Sequence, residues 1–550
     1  MKSTKRSTRS RVLCLLLGFS LLLGMAFGAA VPASAADRPE KLDAATYFLY
    51  DVSDVVLVPL LRMVGFLFPS VKIPGKYDGK GFMPGMETFL KAPADGARWH
   101  AGYASASLLE GQDVLDGEHY IGGGLDPLNR KTAEAVLDDQ RVRVTALNDG
   151  SGRGTVILAT IDGFGFTSHD VRIIRGMLED FANANNIVSI NISALHQHSV
   201  IDTLGMNGWL PGFLLINPIA NLTGGLLLKP TSGKNPGFMD NLHKVVAQSI
   251  KEAFGNLEPG ELRYASADIR EYINSKRPPH QLDRFAHRLR FVPDDPASRE
   301  TWLCNLAIHC IGYGSGGDGR EVTGDWPYFM EEDVNAAGAN FQLIQGAQLA
   351  ISMDTSPSSV PGVERNGYER IQDYGHALGD VVAAIQSEDE TVVPALLNIA
   401  HKEYSFPITN PLHLLLFRLG VIDSTAVKRD IFGYGLDLWT ETGYMELGDA
   451  LAVAFAPGEL EAALAFGGGM DAEEAWRGYT WEFTSMQETV PAGRRLLVFG
   501  IMNDHSGYML LPNDIYHFIM FGNEEINMAG EQAGPSVLAA FQALVADKTK

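Results

Sequence analysis

Between residues 154 and 198 the sequence spells out a strand, a helix and a second strand, and this unit narrows the fold more than any other segment. GTVILATIDG reads as a buried strand, SHDVRIIRGMLEDFANANN as an amphipathic helix and IVSINISALH as another buried strand. Ser168 is placed to cap the helix, and Val171, Ile174, Met177, Leu178 and Phe181 recur at helical spacing to face the sheet. A right-handed crossover makes the two strands parallel, so Asp162 and His196 leave at carboxyl ends, the edge where open α/β sheets bind ligands. No linker, charge block or repeat interrupts the later alternation of apolar strands and amphipathic helices. The expected fold is therefore α/β: a large mixed-sheet catalytic domain with helices on both faces and apolar loop insertions.

The second strand ends in a histidine pair, His196 and His198. Residues two apart on a strand share a face about 6.5 to 7 Å apart, so one imidazole can bind a metal while the other reaches its water. A hydrogen-bonded structural pair has the same spacing. Three further strand ends carry chemistry of the same kind. TWLCNLAIHC ends near His309, GDALAVAFAPGE places Glu459 past a Pro-Gly turn, and RRLLVFGIMNDHSGYMLLP leads to Asp504, His505 and Tyr508. Each alone reads equally as an interior histidine, a solvated carboxylate or an ordinary polar loop. Together, His196, His309, Glu459 and Tyr508 offer two imidazoles, a carboxylate and a phenol, a set that suits Zn²⁺ with room for water. Such a metal activates water and polarises a carbonyl, the two tasks of amide or ester hydrolysis.

Rival chemistries lack their motifs. There is no GxxxxGK[ST] loop, no HExxH, and YGSGG puts Tyr313 where a nucleophile elbow needs glycine. The N-terminus has a basic leader, an apolar run from Val12 to about Val31 and an Ala33-Ser34-Ala35 cleavage site, so residues 1–35 read as a signal peptide and the protein as exported. Loss of its five basic residues takes the formal charge from −22 to about −27, which argues against nucleic acid as a partner. Residues 36–94 read as an N-terminal extension with an apolar amphipathic segment, and 95–550 as the catalytic domain. Cys304 and Cys310 are too few for a disulfide framework. Residues 203–228 carry no charge, but their glycines and prolines break a spanning helix. This stretch and residues 48–68 read either as ordinary packing or as a greasy mouth for a lipid substrate with peripheral membrane contact.

In order and local context, residues 95–545 resemble the neutral/alkaline ceramidase family, exported or membrane-associated zinc amidohydrolases that cleave the N-acyl bond of ceramide. SINISALHQHS resembles that family's SATHTHSGPGG strand end, LAIHCIGYGSG its FAVHGTS, TGDWPYF its SGDNKGY, APGE its PGEFTT and GIMNDHSGYMLLPNDIY its NAYSGYVTTPEEY. The resemblance implies that His196, His309, Glu459 and Tyr508 hold Zn²⁺ and that His198 handles the proton of the attacking water or leaving amine. It further implies that Arg277, in YINSKRPP, binds the developing oxyanion with Tyr516 nearby. The implied substrate is ceramide or a related lipid amide. A different acylated lipid, or lipid binding without turnover, are the alternatives. Departures are Leu195 and Gln197 for threonines, Val200 and Ile201 for Gly-Pro, His505 for a tyrosine, a 25-residue insertion after Glu459, and no C-terminal immunoglobulin-like domain. The substitutions beside His198 are expected to reshape the surroundings of the site.

Overall fold

The computed structural model describes residues 52, 55–56, 58–60, 73–123, 131–313, 319–354, 367–429, 435–518 and 524–550. The proposed signal peptide and most of the apolar segment at 48–68 lie outside them. Nine strands form the larger sheet: β1 (Trp99–Ser107), β2 (Arg141–Asn148), β3 (Thr155–Ile161), β4 (Ile187–Ala194), β5 (Glu258–Asp268), β6 (Phe285–Pro293), β7 (Glu300–Leu306), β8 (Ala339–Gln345) and β9 (Thr391–Val393). Their order is β8-β7-β6-β5-β1-β2-β3-β4, with β9 pairing β5. The pairs β3/β4 and β7/β8 are parallel and the others antiparallel, so the sheet is mixed. A second sheet has the order β10-β12-β13-β15, built from β10 (Leu397–Pro407), β12 (Leu436–Leu447), β13 (Leu451–Phe455) and β15 (Arg495–Phe499), with β11 (Ala426–Lys428) on β12. Beyond β13, the two-residue β14 (Glu459–Leu460) pairs in parallel with β16 (Tyr508–Met509).

Alternation along each strand decides the layering. On β3, Ile157, Ala159 and Ile161 face a core shared with helices α1 (Ser168–Met177) and α2 (Pro236–Gly255), through Val171, Ile174, Leu242, Val246 and Ile250. Val156 and Leu158, on the opposite face, join a core with Ile399, Met445, Val453 and Leu497 of the second sheet. Helices α3 (Trp326–Ala336) and α4 (Gly367–Ala383) cover β7 and β8, and α5 (Ala533–Lys548) covers the outer face of the second sheet. Helices thus lie on both outer faces of a two-sheet stack. Among the described residues each sheet has helices on one face only, because the sheets bury their other faces against each other.

The strand–helix–strand unit is parallel, with Ile161 beside Ala194. Two local details differ from the sequence reading. Thr167, not Ser168, caps α1, its side chain accepting from the Asp170 N–H, while the Ser168 hydroxyl is engaged by Thr425, accepting from its N–H at 3.1 Å, and the Ser168 N–H donates to Asp504 at 2.8 Å. Met177 is exposed, while Val171, Ile174 and Leu178 are buried. Cys304 and Cys310 are both free and buried.

The curl of the larger sheet places the site. Gln342 of β8 accepts from Thr145 of β2 at 2.6 Å and donates to the Leu158 carbonyl of β3 at 3.0 Å, although four strands separate β8 from β2 in the order. Gln345 donates to the Leu195 carbonyl at 3.2 Å, and Gln197 bridges Cys310. Strand ends from opposite edges of the sheet therefore meet.

Candidate metal centre

His196 lies two residues beyond β4 with φ of 62°, in the left-handed region. Among the described residues seven non-glycine residues have positive φ, and five of them (His196, Asp325, Ala350, Ile501 and Asn503) stand on or beside the segments that build this centre. Such backbone persists only where its surroundings over-determine it, and it concentrates at functional sites. Here Gln197 supplies the restraint. Its amide donates to Asp162 at 2.9 Å and to the Gly324 carbonyl at 2.8 Å, and its oxygen accepts from the Gly163 N–H at 3.0 Å. Asp162 is in turn paired with buried Arg143, which also pairs with Glu331.

Three imidazoles share one hydrogen-bonding scheme. His196 Nδ1 meets the Phe164 carbonyl at 2.7 Å, His198 Nδ1 the Gly123 carbonyl at 2.6 Å, and His309 Nδ1 the Ile351 carbonyl at 2.9 Å. A carbonyl only accepts, so each Nδ1 carries a proton, and in the neutral ring each Nε2 presents a lone pair. His196 Nε2 lies 3.3 Å from Glu459 Oε1, and His309 Nε2 lies 2.9 Å from Oε2. Donors about 2.0 to 2.2 Å from a tetrahedral Zn²⁺ stand about 3.3 to 3.6 Å apart, close to this spacing. His505 is the third imidazole on the carboxylate, its Nε2 3.3 Å from Oε1, and the donor atoms of His196, Glu459 and His505 all lie within 4.8 Å of one another.

The protonation pattern also fits a cation. Burial drives the His196 pKa well below its usual value, and burial with His309 lowers that of His198 to about 3. Burial works to raise the Glu459 pKa, but His196 and the hydrogen bonds from His309 and His505 hold it well below the carboxylate range. His309 is shifted up despite its burial by its bond to Glu459, so a proton there stands where a cation would bind. Tyr508, beside Glu459 in the β14/β16 ladder, keeps its phenolic proton under the combined effect of burial and that carboxylate.

The structure therefore gathers His196, His198, His309, Glu459 and Tyr508 in one place, with His505 added. Phe164 holds the imidazoles together, stacked on His196 with centroids 4.7 Å apart and edge-on to His198 at 4.9 Å and His505 at 5.9 Å. Arg277 is placed differently. Its buried guanidinium pairs with Asp514 at 2.8 Å, Glu524 at 2.9 Å and Glu525 at 3.4 Å, so its charge is committed to an acidic cluster. Tyr516 packs on Trp476 of the insertion, centroids 5.2 Å apart, and its N–H donates to Glu525. Gln197 and Phe164 contribute to the site with little pattern to mark them in the sequence, and His505 stands there only as a polar residue beside Tyr508. The one visible signal was the Gly163-Phe164-Gly165 run after a strand.

Residues 203–228 are not wholly a loop. Gly212–Ile216 is a π-helical turn that runs into a helix at Asn217–Leu222. The stretch is tied to the site by Thr203, which donates to the Gly165 carbonyl at 2.6 Å. It exposes Trp209, Leu215 and Ile219, and Leu222, Leu226 and Leu227 are 80%, 90% and 74% exposed. Among the described residues no helix is long and apolar enough to cross a membrane.

No protein-family model matches the sequence, and no curated protein does. Solved structures do match. Neutral ceramidase from Pseudomonas aeruginosa superposes with a TM-score of 0.58 over 82% of this chain and 73% of its own, at 14% identity. A ceramidase complexed with C2 gives the same score and identity over 82% and 74%. The likeness covers about four-fifths of this chain, and the chain has the neutral ceramidase fold.

Proposed function

We propose that this chain is an exported zinc-dependent amidohydrolase that cleaves the N-acyl bond of ceramide or a related lipid amide, releasing a fatty acid and an amine. The observation that carries the reading is the convergence of the buried His196, His309 and Glu459, with donor atoms 2.9 to 3.3 Å apart, inside a fold shared with solved ceramidases. His196, His309, Glu459 and Tyr508 would hold the metal, which when bound supplies Lewis acidity toward water and toward a carbonyl oxygen.

His198 is the proton carrier. Its Nε2 is buried with no hydrogen-bond partner, and its Nδ1 proton is fixed on Gly123, so it has one lone pair ready to take a proton from water and return it to the leaving nitrogen. Arg277 acts as a positioning residue through Glu524, which is close enough to influence the Tyr508 phenol. The exposed leucines beyond Thr203 form the entry for an acyl chain and the point of peripheral membrane contact.

The test is fatty-acid release from a short-chain ceramide by the purified protein, with and without a chelator and after zinc is restored. Release that is lost to the chelator, regained with zinc and absent in His196→Ala supports the reading. Release unchanged by chelation and by His196→Ala across a panel of N-acyl lipids overturns it.

A further inference from the structure

His505 differs from the other three imidazoles in its hydrogen bonds. Where His196, His198 and His309 each anchor Nδ1–H on a backbone carbonyl, His505 Nδ1 is buried with no hydrogen-bond partner. Were His505 to offer an Nε2 lone pair to a metal, its proton would sit on Nδ1, leaving a buried N–H donor unmet. Orphaned donors are rarer in proteins than under-used acceptors. The other tautomer leaves only an acceptor lone pair at Nδ1 and puts the proton on Nε2, aimed at Glu459 Oε1 3.3 Å away.

The ring is held where that bond requires it. Asp504 Oδ1 accepts from the His505 N–H at 2.9 Å, from the Ser168 N–H at 2.8 Å and from Ser424 at 3.0 Å, fixing the loop to the start of α1. Gly165 lies directly under the ring, where a Cβ would collide with Nδ1, and Phe164 meets its edge. These contacts fix the ring before any ligand is present.

We infer that His505 is a positioning residue: it donates Nε2–H to Glu459 Oε1 and orients that carboxylate toward the metal without ligating the metal itself. This rests on the metal-binding reading above. Groups that orient metal ligands this way set affinity, and their loss typically weakens it by about 10- to 100-fold.

The experiment measures zinc affinity by competition with a chromophoric chelator, and the visible spectrum of the Co²⁺-substituted protein, for wild type, His505→Phe and His505→Gln. Thermal unfolding of the metal-free forms verifies that each variant is folded. Glutamine keeps an N–H donor near the position of Nε2, whereas phenylalanine keeps only the ring. The expected result is one zinc per chain in all three, affinity about 10- to 100-fold weaker in His505→Phe and restored to within a few-fold in His505→Gln, and a Co²⁺ spectrum in His505→Gln that matches wild type. A spectrum altered in His505→Gln would make His505 a ligand and overturn the inference. Equal loss in both variants, or no loss in His505→Phe, would also overturn it. A wild-type protein that binds no zinc would instead remove the metal-binding reading on which it depends.

Discussion

Gln197 sits between the two histidines on the opposite face of the chain, and its replacement by leucine tests whether the site depends on what lies beneath it. Leucine keeps most of the volume and removes three hydrogen bonds, to Asp162, to the Gly324 carbonyl and from the Gly163 N–H. A bond to a charged partner contributes about 1.5 to 3 kcal/mol and a neutral one about 0.5 to 1.5, so Gln197→Leu should cost about 2.5 to 6 kcal/mol. The upper part of that range is favoured because all three partners are buried and have no water to turn to. Urea unfolding of the metal-free protein reads the stability directly. Zinc competition should show weaker binding in the same variant, because His196 no longer has its left-handed backbone restrained. A loss below about 1 kcal/mol with unchanged zinc affinity would refute the claim that Gln197 holds the pair in place.

Three further outcomes are expected. Gly123 has φ of 90° and its Cβ would run into the backbone of His198, so Gly123→Ala should lower the hydrolytic rate by about 10²- to 10⁴-fold while zinc stoichiometry is retained; loss of zinc instead would show that the damage is not confined to His198. Replacing Leu226 and Leu227 by serine should reduce hydrolysis of lipid presented in vesicles but leave a short-chain substrate in detergent unaffected, and equal loss on both would argue against an entry role. Buried His401, bonded to Ser189 at 2.8 Å, has its pKa lowered to about 4 by burial. The unfolded chain takes up that proton near pH 6.5, so the stability His401 gives is present above that pH and lost as pH falls through about 4. Comparing urea unfolding of wild type and His401→Gln at pH 7 and pH 4, the variant should be spared about 3 kcal/mol of the wild-type loss, and parallel pH profiles would contradict this.

The parts of this molecule legible in the sequence are those decided by nearby residues. The parallel pair β3/β4, the apolar face of α1 and the placing of His196, His309 and Glu459 just beyond strand ends all follow from local periodicity. What was illegible depends on partners far along the chain. Arg277 looked like an oxyanion donor because its neighbours resemble a motif, but its charge is met by Asp514, Glu524 and Glu525, more than 230 positions later. Thr167 takes the cap while the Ser168 hydroxyl is engaged by Thr425 and its N–H by Asp504, both in loops far along the chain. The meeting of His196 with His309 depends on the curl of the nine-stranded sheet, to which Gln342 and Gln345 contribute hydrogen bonds that no pattern of hydrophobicity announces.

The departures from the ceramidase pattern beside His198 take on a different meaning once side-chain direction is known. Leu195 is fully buried in the core under α3, Gln197 points to Asp162 and Gly324, and Ile201 joins the core beneath α2. Val200 is buried as well, and its carbonyl accepts from the Gly122 N–H, next to the glycine that anchors His198. These substitutions therefore face away from the imidazole nitrogens, and their chemistry is that of support rather than of contact with a substrate. The exception is His505, which replaces a tyrosine within reach of Glu459 itself. If activity toward ceramide differs in this chain, the physical cause should be sought at that carboxylate and in the exposed apolar stretch beyond Thr203, and not in the altered residues that surround the first histidine pair.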